Sequence, residues 1–165
     1  MDVDVVFAQF VREHTPTLLR SAYLLTQNSA AAEELVQDTL VRLYPKWDRV
    51  VAADVPLAYV RRSLVNAFIN RKRRPANQEI VLDELPERGH GQDLAVGVGD
   101  RDLVWRLLRT LPDRQRAALV LRYFHDLPDD EIAATLDCRP GTVRSLISRG
   151  TATLKELAVG GEQRA

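Results

Sequence analysis

Residues 76–100 constrain this chain more than any other stretch, because no regular element fits them. Pro75 and Pro86 together with Gly89, Gly91, Gly97 and Gly99 interrupt every apolar period there. The same stretch holds one base, Arg88, against six acids: Glu79, Asp83, Glu84, Glu87, Asp93 and Asp100. A structureless connection of that length is foreign to one compact core, so it predicts a linker with a small domain on each side. Residues 1–75 carry 11 Lys/Arg against 8 Asp/Glu, and residues 101–165 carry 11 against 9. The formal net charge of zero for the 165 residues thus conceals two mildly basic halves joined by an acidic strap.

Both halves show helical spacing and neither alternates with period two, so the expected class is all-α. In the first half Val3, Phe7, Phe10 and Val11 form one stripe. Thr15-Pro16 predicts a second helix carrying Leu18, Leu19, Ala22, Tyr23 and Leu25. Asn28-Ser29 supplies caps for a third helix, with Ala32, Leu35, Val36, Thr39, Leu40 and Leu43 inward and Pro45 as its end. A loop from Asp48 to Val55 leads to a fourth helix running from Pro56 to about Arg73, with Leu57, Val60, Leu64, Ala67 and Phe68 inward. The second half predicts helices at about 101–110, 112–124, 128–136 and 140–158, with Pro112, Pro128 and Pro140 near first turns.

Several classes of chemistry find no support. One cysteine, Cys138, excludes a disulfide framework, and three scattered histidines leave no zinc constellation. No apolar run has the roughly 18–20 residues of a membrane span, and Met1-Asp2-Val3-Asp4 lacks the order of a secretory signal, so a cytoplasmic protein is expected. No phosphate-binding glycine loop, nucleophile elbow or carboxylate pair occurs, so neither catalytic residues nor a cofactor is expected. Asp129-Asp130-Glu131 reads as a helix N-terminus favoured by the macrodipole rather than as a metal cluster.

Two segments favour nucleic acid instead. Leu127 to Arg149 reads as a short helix, a turn at Asp137–Arg139, and a second helix from Pro140. Ile132, Ala133, Leu136, Val143 and Ile147 can close the two helices on each other. That is a helix-turn-helix, whose second helix enters a major groove. Arg139, Arg144, Arg149 and Lys155 follow with no intervening acid, which suits phosphates. Between Val55 and Gln78 stand Arg61, Arg62, Arg71, Lys72, Arg73 and Arg74, again with no acid, interleaved with Tyr59, Asn66, Phe68 and Asn70. Arginines hold phosphates, amides read base edges and an exposed ring stacks on an unpaired base.

These segments, in this order, resemble one family. Tyr23-Leu-Leu-Thr-Gln-Asn28 and Ala31-Ala-Glu-Glu-Leu-Val-Gln-Asp-Thr-Leu-Val-Arg-Leu-Tyr44 look like the core-binding helix of bacterial sigma factors. Pro56-Leu-Ala-Tyr-Val-Arg-Arg-Ser-Leu-Val-Asn-Ala67 looks like the promoter-melting helix of the same domain. Leu111-Pro-Asp-Arg-Gln-Arg-Ala-Ala-Leu-Val-Leu-Arg-Tyr-Phe124 with the helix-turn-helix looks like the C-terminal sigma domain. The short length adds a resemblance to the extracytoplasmic-function (ECF) group, and the runs Tyr23-Leu-Leu-Thr26 and Val65-Asn-Ala67 are similar to its actinobacterial SigE-like form.

The resemblance implies a sigma domain 2 over residues 1–75, an acidic linker over 76–100 and a sigma domain 4 over 101–165. It implies core polymerase binding by Glu34, Gln37, Asp38, Val41 and Arg42, on the clamp helices of one large subunit, with the flap of the other large subunit as a second contact. It implies −10 recognition and melting by Arg49, Tyr59, Arg62, Asn66, Asn70, Arg71 and Arg73, the loop 48–55 taking a flipped base. For −35 duplex it implies Arg144, Ser145, Ser148 and Arg149, with Arg139, Thr142 and Lys155 on phosphates. Leu146 and Ser148 depart from the residues common in the family, so the −35 sequence does not carry over. An anti-sigma factor is the implied regulator, with no small-molecule substrate and no membrane insertion. A stand-alone helix-turn-helix regulator and a decoy that titrates an anti-sigma factor remain as alternative readings.

Overall fold

The computed structural model describes residues 2–71 and 98–162, and every regular element among them is helical. The chain divides into two compact units, Met1–Pro86 and Glu87–Ala165. The division falls within the expected linker; residues 76–97 lie outside the described residues. The last three expected linker positions, Val98 to Asp100, instead open a helix.

In the first unit α1 (Val3–Thr26) and α2 (Ser29–Leu43) pack side by side, and α4 (Pro56–Asn70) covers α2. The helix start expected at Thr15-Pro16 is absent, because α1 runs unbroken through Pro16. A proline in a helix interior costs about 3 kcal/mol. Here Pro16 is exposed, while Phe10, Leu18, Ser21, Ala22 and Leu25 make one buried face across it. That shared face outweighs the lost hydrogen bond. Gln27 ends α1 with φ 58°, and its side-chain amide donates to the Leu24 carbonyl at 2.7 Å. Asn28 then caps α2, its side-chain oxygen accepting from Ala31 N–H at 2.8 Å. All six inward positions expected for α2 are buried.

After Pro45 the loop expected over 48–55 is mostly a further helix, α3 (Trp47–Ala52), and only 53–55 are irregular. Trp47 and Val50 draw it into the core. Trp47 meets Phe7 and Phe10 edge-on, with ring centroids 4.9 Å apart in both cases, so α3 is fastened to α1. α4 ends three residues short of the expected Arg73. Arg71 is extended, its guanidinium 3.9 Å from the centre of the Phe68 ring, and its Nη1 donates to the Phe68 carbonyl at 2.6 Å.

The second unit is built from α5 (Val98–Arg109), α6 (Asp113–Leu119), α7 (Asp129–Leu136) and α8 (Pro140–Glu162). The helix expected over 112–124 changes form at Val120, where five residues, Val120–Phe124, adopt π-helical geometry. Arg116 is 7% exposed and donates to the carbonyls of Leu108 at 2.8 Å, Arg109 at 3.0 Å and Leu111 at 3.1 Å. These are carbonyls at and just beyond the end of α5, where intrahelical donors run out. Arg114 likewise donates to the Leu136 carbonyl at the end of α7, at 3.0 Å. Asp137, at φ 53°, and the Cys138 N–H on the Ala133 carbonyl at 3.0 Å make the turn into α8. Ile132, Ala133, Leu136 and Val143 close that turn as expected, whereas Ile147 is only half-buried.

Gly150 lies inside α8, where glycine costs about 1 kcal/mol of helix propensity relative to alanine. The structure gives its use: a Cβ there would stand 3.0 Å from Leu119 Cδ1 and 3.7 Å from Gln115 Cβ. The glycine lets α6 and α8 approach closely. Gly150→Leu is therefore expected to cost about 1–3 kcal/mol through overpacking, while in Gly150→Ala the tight contact and the propensity gain oppose each other. Arg116→Met withdraws a donor from three carbonyls, of which Leu108 keeps the Leu111 N–H, and is expected to cost on the order of 2–3 kcal/mol. Urea unfolding of the full chain measures all three.

Candidate nucleic-acid interface

The residues expected to meet duplex DNA share one side of α8. At 3.6 residues per turn Thr142, Arg144, Ser145, Ser148, Arg149 and Lys155 fall within an arc of about 160°. All six are exposed, as is Arg139 in the turn before the helix. Val143 and Gly150 occupy the opposite, buried side. The helix thus presents a face of cations and hydroxyls that is free of acids as far as Lys155, with the exposed Glu156 beyond it, and is backed by α6 and α7.

One acid nevertheless reaches the edge of this face. The Asp129 carboxylate, at the first residue of α7, accepts from Arg122 and stands 3.5 Å from Arg144 Nη1. The macrodipole account of Asp129 is therefore incomplete. Nothing local in the sequence signals this link, since Asp129 and Arg144 are 15 positions apart and in different helices.

On α4, Tyr59, Arg62, Asn66 and Asn70 follow one another at helical spacing along the side away from Val60, Leu64 and Phe68. Arg62 and Asn70 are exposed; Tyr59 and Asn66 are half-buried. Arg49 is exposed on α3. Arg71 lies beyond the helix and folds back on Phe68, so it is not one more position of the same stripe. Arg73 lies outside the described residues.

On α2, Glu34, Gln37, Asp38, Val41 and Arg42 are all exposed, and Val41 is 72% so. Tyr44, one turn on from Val41, is exposed too and was not singled out in the sequence, although the same spacing puts it on that face. Its hydroxyl donates to the Asp4 carboxylate; this bond and the negative charge of Asp4 hold the phenol above its ordinary titration range. A groove of about 500 Å³ runs between α2 and α4. Glu34, Asp38 and Arg42 line one wall and Asn66, Asn70 and Arg71 the other, so the two expected surfaces of this unit share a border. Lys46 and Ser63 also line it and escaped the sequence reading.

Among the described residues no three His, Cys, Asp or Glu side chains gather at metal-binding distance. No helix among them is long and apolar enough to cross a membrane.

Two family models match the chain: Sigma-70 region 2 over residues 10–78 and Sigma-70, region 4 over residues 101–154. The RNA polymerase sigma-E factor of Streptomyces avermitilis is 33% identical over 150 residues, covering 91% of this chain and 83% of that protein. The ECF RNA polymerase sigma factor SigE of Mycolicibacterium smegmatis is 31% identical over 156 residues, covering 90% of this chain and 60% of that one. Among solved structures, the sigma factor RpoE of Bartonella quintana, crystallised with the anti-sigma factor NepR, matches with a TM-score of 0.71 and 26% identity over 92% of this chain and 96% of that chain.

Proposed function

The chain belongs to the sigma-70 family, as an RNA polymerase sigma factor of the ECF, SigE-like kind, and from that premise we propose how its exposed residues divide the work. As an alternative sigma factor it is a dissociable promoter-specificity subunit: it binds core RNA polymerase, recognises −35 and −10 elements and starts transcription. Nucleotidyl transfer belongs to the polymerase, and the sigma factor contributes recognition and opening.

Residues 1–75 act as the polymerase-binding and −10 domain, and residues 101–165 as the −35 domain. The apolar Val41 among Glu34, Gln37, Asp38 and Arg42 gives α2 the mixed surface that a protein partner needs, and the clamp helices of a polymerase large subunit are that partner. Across the groove, Asn66 and Asn70 offer amides to base edges, Tyr59 a ring to an extruded base, and Arg49, Arg62, Arg71 and Arg73 charge to the backbone. The irregular residues 53–55, rather than the whole stretch 48–55, form the loop that receives the base. On α8, Arg144, Ser145, Ser148 and Arg149 read the −35 groove while Arg139, Thr142 and Lys155 fix its register on phosphates. The flap of the second large subunit is the partner of the −35 domain. The observation that carries this division is that the described members of these sets are at least partly exposed and, Arg71 apart, lie on different elements, α2, α3 with α4, and α8 with the turn before it, in the order in which the two family regions match.

The Bartonella relative was crystallised with an anti-sigma factor, which supports an inhibitor of that class for this chain. The place of action is the cytoplasm, with polymerase and chromosome.

Run-off transcription with actinobacterial core polymerase on fragmented genomic DNA tests the reading. New start sites are expected with the wild-type chain. Asn66→Ala is expected to weaken them about tenfold through the −10 element, and Val41→Glu to abolish them by preventing co-migration with core. A chain that fails to bind core overturns the reading. Lys155→Ala is expected to flatten the log–log salt dependence of promoter binding by about one unit. An unchanged slope removes Lys155 from the backbone contacts.

A further inference from the structure

We propose that Asp129 is a positioning residue for promoter reading: it holds the Arg144 guanidinium so that its free edge faces a base in the −35 element. The proposal rests on the assignment of Arg144 as a −35 reader made above.

The geometry is a carboxylate shared between two arginines from different elements. Arg122, in the π-helical segment, binds one oxygen of Asp129, and the other oxygen faces Arg144 Nη1 at 3.5 Å. Asp129 and Arg122 are mostly covered, with side chains 28% and 31% exposed, while Arg144 is 66% exposed. The inner pair is therefore the fixed point and the outer arginine the member that faces solvent. Arg144 Nη2 lies 3.6 Å from where a Cβ of Gly141 would stand, so the guanidinium folds back over the first turn of α8. In a helix-turn-helix that turn carries the residues nearest the base edges.

A guanidinium has five N–H donors in a rigid plane. Engaging one corner with a fixed carboxylate restricts rotation of the plane and leaves the remaining donors for a bidentate contact such as that with guanine O6 and N7. Asp129 is itself a poor candidate for base reading, because both of its oxygens face arginines. As an anion beside DNA it also opposes phosphate binding. Losing its charge must therefore weaken base discrimination while strengthening binding to DNA of any sequence. A purely structural acid at a helix start produces no such pair of opposite effects.

The experiment uses the full chain bound to actinobacterial core polymerase and a pool of promoter duplexes randomised across the −35 element, with the bound fraction sequenced over a salt series. Arg144→Ala is expected to erase the preference at one position, worth about tenfold for a bidentate contact. Asp129→Asn, which keeps the shape of the side chain, is expected to reduce the preference at that position about threefold or more and to leave the others intact. It should also steepen the salt dependence by about one unit. Asp129→Glu should recover part of the preference, and Asp129→Asn should change no preference when added to Arg144→Ala. Wild-type preference in Asp129→Asn, or an altered preference in the Arg144→Ala background, overturns the proposal while Arg144 keeps its role. If Arg144→Ala changes no position, the assignment of Arg144 falls first and the proposal falls with it. Thermal melts of each variant separate these outcomes from unfolding.

Discussion

The close approach of α6 and α8 at Leu119 and Gly150 is the contact on which the DNA-reading half depends. A unit of this size buries too little apolar surface to tolerate a poorly seated helix. α8 is also long and rich in hydroxyls and cations, so its own propensity does not fix where it lies. What fixes it is one face of small and branched residues, Val143 and Gly150, held against Leu119 and the α7 core. The opposite face is then free to carry arginines with no structural duty. Arg116 completes the frame by binding the carbonyls at the end of α5, so the turn into α6 is set by a buried charge with its donors satisfied.

The first unit solves the same problem with aromatic rings. Trp47 lies against Phe7 and Phe10, and Tyr44 packs on Phe7 while bonding Asp4, so the start of α1 and the junction of α2 with α3 are one cluster. That cluster seats α3 and thereby the short irregular stretch before Pro56. The surface proposed to meet polymerase on α2 and the one proposed to meet bases on α4 border a single groove, so the packing of α2 on α4 sets the spacing between them.

Much of this was legible in the sequence because it rests on local periodicity. The inward residues of α2, the Asn28 cap, the turn at Asp137 and the exposed stripe of α8 follow from spacing and capping chemistry alone. Three features did not. Pro16 looks like a helix start, and only the continuous face shared with α2 explains why the helix runs through it. The stretch after Trp47 looks like a loop, because the burial of Trp47 and Val50 is tertiary. The change to π geometry at Val120 carries no residue signal and places Arg122 toward Asp129. Gly150 is the instructive case, since propensity counts it as a cost and packing makes it the point of contact.

The charge pattern has the same division between what spacing shows and what folding adds. A basic stretch without acids, from Arg139 to Lys155, reads as a simple attraction to phosphate, which carries no sequence information. The fold brings an acid from another helix to the edge of that face. A pair with a partner as exposed as Arg144 is worth no more than about 1 kcal/mol, so it does little for stability. Its weakness suits a reader: an arginine locked by a strong buried bridge would resist sharing its donors with DNA, and one with no partner would follow the nearest phosphate. An intermediate hold keeps one corner of the guanidinium on the acid and leaves the other donors for a base edge that accepts two hydrogen bonds, while turning away to a single phosphate oxygen would give up the acid for less. Discrimination on this helix thus draws on an acid that no reading of the helix by itself would include.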